Sequence, residues 1–102
     1  MVGTAEGWSL DPLLQALLPY ESKEVVVEFP GYRAKVRVNT LTTPDETEKG
    51  FGDWLVDVQQ VLEEFPDNPY SGRDYFIISL DPDEDTPLRV STVDGEVLWE
   101  GN

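Results

Sequence analysis

Apolar and polar residues alternate one by one from Tyr32 to Val38, with Tyr32, Ala34, Val36 and Val38 on one side and Arg33, Lys35 and Arg37 on the other. A period of two predicts a strand with one buried and one wet face. The preceding run, Glu24 to Phe29, is rich in valine, and Pro30-Gly31 between the runs predicts a tight turn. A two-residue loop sets Phe29 opposite Tyr32, so the numbers of facing residues sum to 61. In that register Val27 meets Ala34 and Val25 meets Val36, while Glu28 and Glu24 meet Arg33 and Arg37 on the wet face.

Further along, Phe51, Trp54, Leu55, Val58, Val61, Leu62 and Phe65 recur at helical spacing and Pro66 follows, which predicts an amphipathic helix with Trp54 in the core. Its polar face carries Asp53, Asp57, Gln60 and Glu64 in one row with Glu63 beside it, neighbours lying about 5 to 6 Å apart on a helix. Tyr75 to Leu80 reads as a strand, and Asp94-Gly95 predicts a hairpin with a two-residue type I' turn. Facing residues then sum to 189, so Thr92 meets Val97, Val90 meets Trp99 and Arg89 meets Glu100. Near the start, Asp11 caps a short helix whose first residue is Pro12 and which Pro19 ends. In the polar linker Thr43, Pro44 and Glu46 fit a capping box. The expected architecture is α+β in two layers: a five-stranded antiparallel sheet, hairpin plus three-stranded meander, packed by one amphipathic helix, with a short N-terminal helix. Residues 1–102 are expected to form a single domain, with 1–8 a flexible N-terminus.

Composition narrows the chemistry. The chain holds 21 acidic residues against 7 basic ones, a net charge of -14, yet 39% of it is hydrophobic and 11% aromatic, which suits a folded core. It has no cysteine and no histidine, so disulfides, thiolate metal sites and the commonest general base are all missing. Met1 to Trp8 has neither a basic nor an apolar leader region, and no apolar run approaches the roughly 20 residues of a membrane span. A cytoplasmic protein with no membrane contact is the expectation.

The stretch from Leu80 to Leu88 holds four carboxylates in five residues, Asp81 before Pro82 and Asp83, Glu84 and Asp85 between Pro82 and Pro87. Asp81, Asp83 and Asp85 match the first three ligand positions of an EF-hand loop. The remainder departs from it: Thr86 stands where glycine makes the sharp turn, Pro87 where a ligand carbonyl belongs, and Thr92 where a bidentate glutamate closes the site. The stretch therefore reads as a charged, solvated connection, and no metal or cofactor is expected. No phosphate-cradling glycine loop or nucleophile elbow appears, and with so many acids a close carboxylate pair arises by chance. The protein is not expected to be an enzyme.

Binding remains, and charge selects the partner. Setting aside Glu24, Glu28, Arg33, Lys35 and Arg37 as the hairpin's own ladder leaves 19 acids and 4 bases elsewhere. Such a surface repels nucleic acid and anionic membranes and is drawn to a cationic cleft. Cells present such clefts chiefly as nucleic-acid-binding sites. The expected function is that of a small acidic inhibitor, a mimic of DNA, covering the basic groove of a nuclease, deaminase, glycosylase or CRISPR effector. Candidate partner-binding residues are Asp53, Asp57, Glu63 and Glu64 on the helix, Asp81, Asp83, Glu84 and Asp85 on the loop, and Tyr70 as an anchor in an exposed turn. The alternative is a non-inhibitory structural or adaptor subunit whose acidity reflects a high-salt cell.

The order of hairpin, amphipathic helix after T-T-P-D-E, and terminal strands ending in D-G-E-V-L-W-E-G resembles the layout of bacterial toxin-immunity proteins of polymorphic toxin systems. A C-terminal tryptophan followed by glycine recurs in that group, here Trp99 and Gly101, whereas the short leading helix departs from it. The resemblance implies a protein that binds and blocks a toxin. Phage-encoded anti-defence inhibitors share the size and the acidity.

Overall fold

A computed structural model of the chain describes residues 12–42, 52–81 and 84–101. The short helix α1 (Pro12–Leu17) begins at the proline, whose missing N–H costs nothing in a first turn, and passes into a 3-10 turn, Leu18–Tyr20, around Pro19. Asp11, its expected cap, lies outside the described residues, as do the linker's capping box and residues 1–8. Six strands follow: β1 (Glu24–Phe29), β2 (Tyr32–Thr42), β3 (Asp53–Glu64), β4 (Tyr75–Ile78), β5 (Arg89–Ser91) and β6 (Val97–Glu100). They form one antiparallel sheet in the order β4-β3-β2-β1-β5-β6.

The first hairpin has the register that its turn dictates, from Phe29 opposite Tyr32 to Glu24 opposite Arg37. Gly31 has φ 74°, the left-handed value a type II turn needs after proline.

Three expectations are corrected. Asp53–Glu64 is a twelve-residue strand rather than an amphipathic helix, so the sheet has six strands and not five. Opposite β2, Glu63 faces Arg33 and Val61 faces Ala34, then Gln60 faces Lys35 and Val58 faces Val36, so Leu62 and Gln59 are each skipped by the pairing. A bulge adds one residue to a period of two, and bulges at Gln59 and Leu62 carry the inward side from Val56 and Val58 to Val61, a spacing close to that of a helix. The valines at 56, 58 and 61 favour a strand.

The meander is the second correction. β1 to β4 run up and down in sequence, and the chain then crosses four strand spacings, about 19 Å, to place β5 beside β1. The acidic stretch is part of that crossover. Beyond it, Gly95 rather than Asp94 takes positive φ, and its N–H bonds to the Thr92 carbonyl at 3.0 Å. The loop is thus three residues long, with a type I turn and a left-handed glycine, where a two-residue type I' turn was expected. Facing numbers near it sum to 188, with Ser91 opposite Val97, and the skipped Leu98 restores 189 at Val90–Trp99 and Arg89–Glu100.

One face of the sheet holds the core. Val25, Val27, Phe29, Tyr32, Ala34, Val36, Val38, Trp54, Val56, Phe76, Ile78 and Val90 are buried there together with Leu13, Leu14 and Leu17 of α1. Trp54 also donates its indole N–H to the Leu14 carbonyl at 3.4 Å, which ties the helix to this face of the sheet. No helix among the described residues is long and apolar enough to cross a membrane.

Candidate partner-binding site

The opposite face of the sheet is wet, and its charges alternate. In register, Glu63 of β3 stands beside Arg33 of β2, then Glu28 of β1, Arg89 of β5 and Glu100 of β6. The row reads minus, plus, minus, plus, minus across five strands. Arg33 Nε lies 3.7 Å from Glu63 Oε1, and Arg89 Nη2 lies 3.2 Å from Glu28 Oε1. Further along, Arg37 stands between Glu24 and Asp57, and Lys35 Nζ reaches Glu24 at 3.9 Å. Each such exposed pair contributes about 1 kcal/mol or less. The row's larger effect is to neutralise the basic stripe, so that the sheet face itself carries little of the net negative charge. Glu21, Glu64, Asp67, Asp74, Asp94 and Glu96 are all exposed, in the turns and strand ends that surround the sheet.

The predicted helix face becomes an extended strand. Asp53 and Glu64 lie eleven residues apart, about 36 Å along a strand, where a helix would have held them within about 17 Å. Asp53 is half-buried. Asp57 accepts a hydrogen bond from Asn39 Nδ2 at 2.8 Å. Glu63 and Glu64 stay together at the far end of β3, both exposed.

The loop carboxylates are partly drawn inward. Asp81 is only 3% exposed, and the Asp81 carbonyl accepts the Glu84 N–H at 3.0 Å. Glu84 is half-buried. Asp85 accepts from Arg73 Nη2 at 2.9 Å and from the Ile77 N–H at 3.0 Å, while its own backbone bonds to Ile77 and Ser79. That lays residue 85 along the outer edge of β4 as a parallel bridge, so the stretch is a tether rather than a solvated connection. Asp83 lies outside the described residues. Among the described residues no three carboxylates gather so as to hold a metal ion.

Tyr70 also turns inward. Its ring stacks on Phe29 with centroids 4.4 Å apart and meets Phe76 edge-on at 5.8 Å. Burial, chiefly, and then the Asp85 carboxylate raise its phenol above the usual value, with Arg73 opposing. Tyr32 beside it is raised by burial and then by Glu64, again against Arg73.

The remaining feature is the far half of β3. β4 pairs only with Trp54–Asp57, and the Val58 N–H still reaches the Asp74 carbonyl at 2.8 Å. From Gln59 to Glu64 the strand has β2 on one side and, among the described residues, no strand on the other. All six residues are exposed, including Val61 at 44% and Leu62 at 40%. Phe65, 59% exposed, continues the edge: its N–H bonds to the Gly31 carbonyl at 2.9 Å and its ring lies over that glycine, where a Cβ would come within 3.3 Å of Cδ2. Between the Pro30-Gly31 turn, Phe65 and Leu88 an open groove of about 200 Å³ is walled at one side by Glu28, Arg33 and Glu63. Sequence reasoning assigned Val61, Leu62 and Phe65 to a buried stripe and so missed this surface. The polar pairs Gln59-Gln60 and Glu63-Glu64 that bracket Val61-Leu62 were the available signal. No protein-family model matches the chain, and neither a curated protein nor a solved structure is significantly similar to it.

Proposed function

We propose that this protein is a small acidic inhibitor that occludes the basic nucleic-acid-binding groove of another protein, in the manner of a toxin-immunity protein or a phage-encoded anti-defence protein. The observation that supports this reading is the alternating row across the sheet. By pairing the cations Arg33, Arg37 and Arg89 with Glu63, Glu28, Asp57 and Glu100, it neutralises the basic stripe in a chain of net charge -14, while Glu21, Glu64, Asp67, Asp74, Asp94 and Glu96 stand exposed in turns and strand ends. Exposed carboxylates beside exposed apolar residues suit a cationic cleft, since charge speeds encounter and apolar contacts slow release. Neither direct nucleic-acid binding nor catalysis belongs to this reading.

The test is affinity capture from lysate of the source cell, eluted with a salt gradient, followed by assay of whatever is recovered. One basic nucleic-acid-processing protein, released by salt and blocked by the pure chain, is the expected result. Glu64→Lys combined with Asp67→Lys and Asp74→Lys should keep the fold and abolish the block. An unrelated mixture, or a block that survives charge reversal, would remove the proposal.

A further inference from the structure

We propose that the outer edge of β3, Gln59–Glu64, takes up a basic extended segment of the partner as a seventh strand of the sheet; this rests on the reading of the protein as a ligand of cationic proteins. A strand edge offers a row of backbone donors and acceptors, and proteins usually cover it or guard it with charge and bulges. The other candidate edges here are less open. Asp85 bonds to Ile77 and lies along β4, and β6 is only four residues long. The far half of β3 has no such cover among the described residues, and six residues of it extend about 20 Å.

The side chains specify what can be added. Val61 and Leu62 at the middle of the edge, and Phe65 just past its end, supply apolar contacts on which alternate side chains of an added strand can rest. Glu63 and Glu64 close the edge, and Asp67 follows in the next turn. A second copy would bring the same carboxylates and another net charge of -14 to this edge, and the bulges at Gln59 and Leu62 twist it away from a flat partner. A lysine- or arginine-bearing segment meets none of the charge obstacle. The guards against self-association thus select a cationic strand.

The test uses the full chain and a synthetic peptide of alternating lysine and valine, with two controls: alternating glutamate and valine, and the lysine peptide N-methylated on every backbone nitrogen, so that neither of its edges can donate. Amide exchange and titration by fluorescence are read at low and high salt. The expected result is salt-sensitive binding of the lysine peptide, exchange at Gln59–Glu64 slowed about tenfold or more, and binding weakened at least as much by N-methylation. Equal binding of the methylated peptide, or protection confined to other strands, overturns strand addition and leaves the charge reading standing. No salt-sensitive binding of either lysine peptide overturns both. Dimers in sedimentation without peptide, with these amides already protected, would assign the edge to a second copy and overturn the proposal.

Discussion

The two halves of β3 each carry an adjacent leucine and valine, Leu55-Val56 and Val61-Leu62, and have opposite surroundings. In the first, Asp53–Val58, Trp54 and Val56 are fully buried between β2 and β4, with Trp54 bonded to Leu14 of α1. In the second, Gln59–Glu64, Val61 and Leu62 have, among the described residues, a strand on one side only, and both are exposed. A valine does not carry its burial with it. The strand count beside it and the layer above it decide whether an apolar residue is core or contact surface.

Substitutions can break or sharpen this contrast. The largest effect is expected at Trp54→Ala, which removes a buried indole and should cost about 3 to 5 kcal/mol, whereas Leu62→Ala in the other half should cost about 1 kcal/mol or less. Urea unfolding of both variants checks it, and equal losses would mean that the edge is covered. Next is Gly31→Ala, where the chain must hold φ 74° and a new methyl would press on the Phe65 ring at 3.3 Å. A loss of about 1 to 2 kcal/mol is expected from the backbone alone, and Phe65→Ala in the same background should relieve only the contact.

A smaller effect is expected at Tyr32, whose buried hydroxyl makes no hydrogen bond among the described residues. Tyr32→Phe should be neutral or stabilising by up to about 1 kcal/mol, because it removes a desolvated group that gains nothing in return. The same group sets an alkaline limit. Tyr32 and Tyr70 hold their phenol protons above the ordinary value of 10.0, so the unfolded chain binds fewer protons than the folded one once the pH passes that value. Stability from this source is complete below about pH 10 and is lost as pH rises through the raised folded values. Melting temperatures measured across that window should fall, and less steeply in Tyr32→Phe. The smallest effect is expected at Glu63→Gln, since an exposed pair at 3.7 Å is worth about 0.5 kcal/mol or less. Its consequence should appear in partner association at low salt rather than in unfolding.

The first hairpin was legible because its information is local: a proline and a glycine define the turn, and the turn defines every pair behind it. The second hairpin was legible except for its turn, where Thr92, Val93, Asp94 and Gly95 form a type I turn and shift two pairs by one. The helix expected at Phe51 to Phe65 shows the weakness of periodicity, since a bulged strand can imitate a spacing of three and four. With that element misread, Asp53, Asp57 and Glu64 lost their common row, and Val61, Leu62 and Phe65 were placed in the wrong environment. The acidic loop misled for a related reason. Composition alone does not reveal that Asp85 has Arg73 and the Ile77 N–H waiting for it.

By itself the sequence determined the α+β class, the Pro30-Gly31 hairpin with its opposed charges, the place of the short helix, and the strongly negative net charge. These follow from neighbours in the chain, or from sums over it. Only the tertiary structure decided that Asp53–Glu64 is a strand, that the last segments return to the far side of β1, and that β4 pairs with the first half of β3 alone. Those depend on which strand finds which edge, and hydrogen bonding between residues far apart in the chain leaves only a weak trace in any short window of residues.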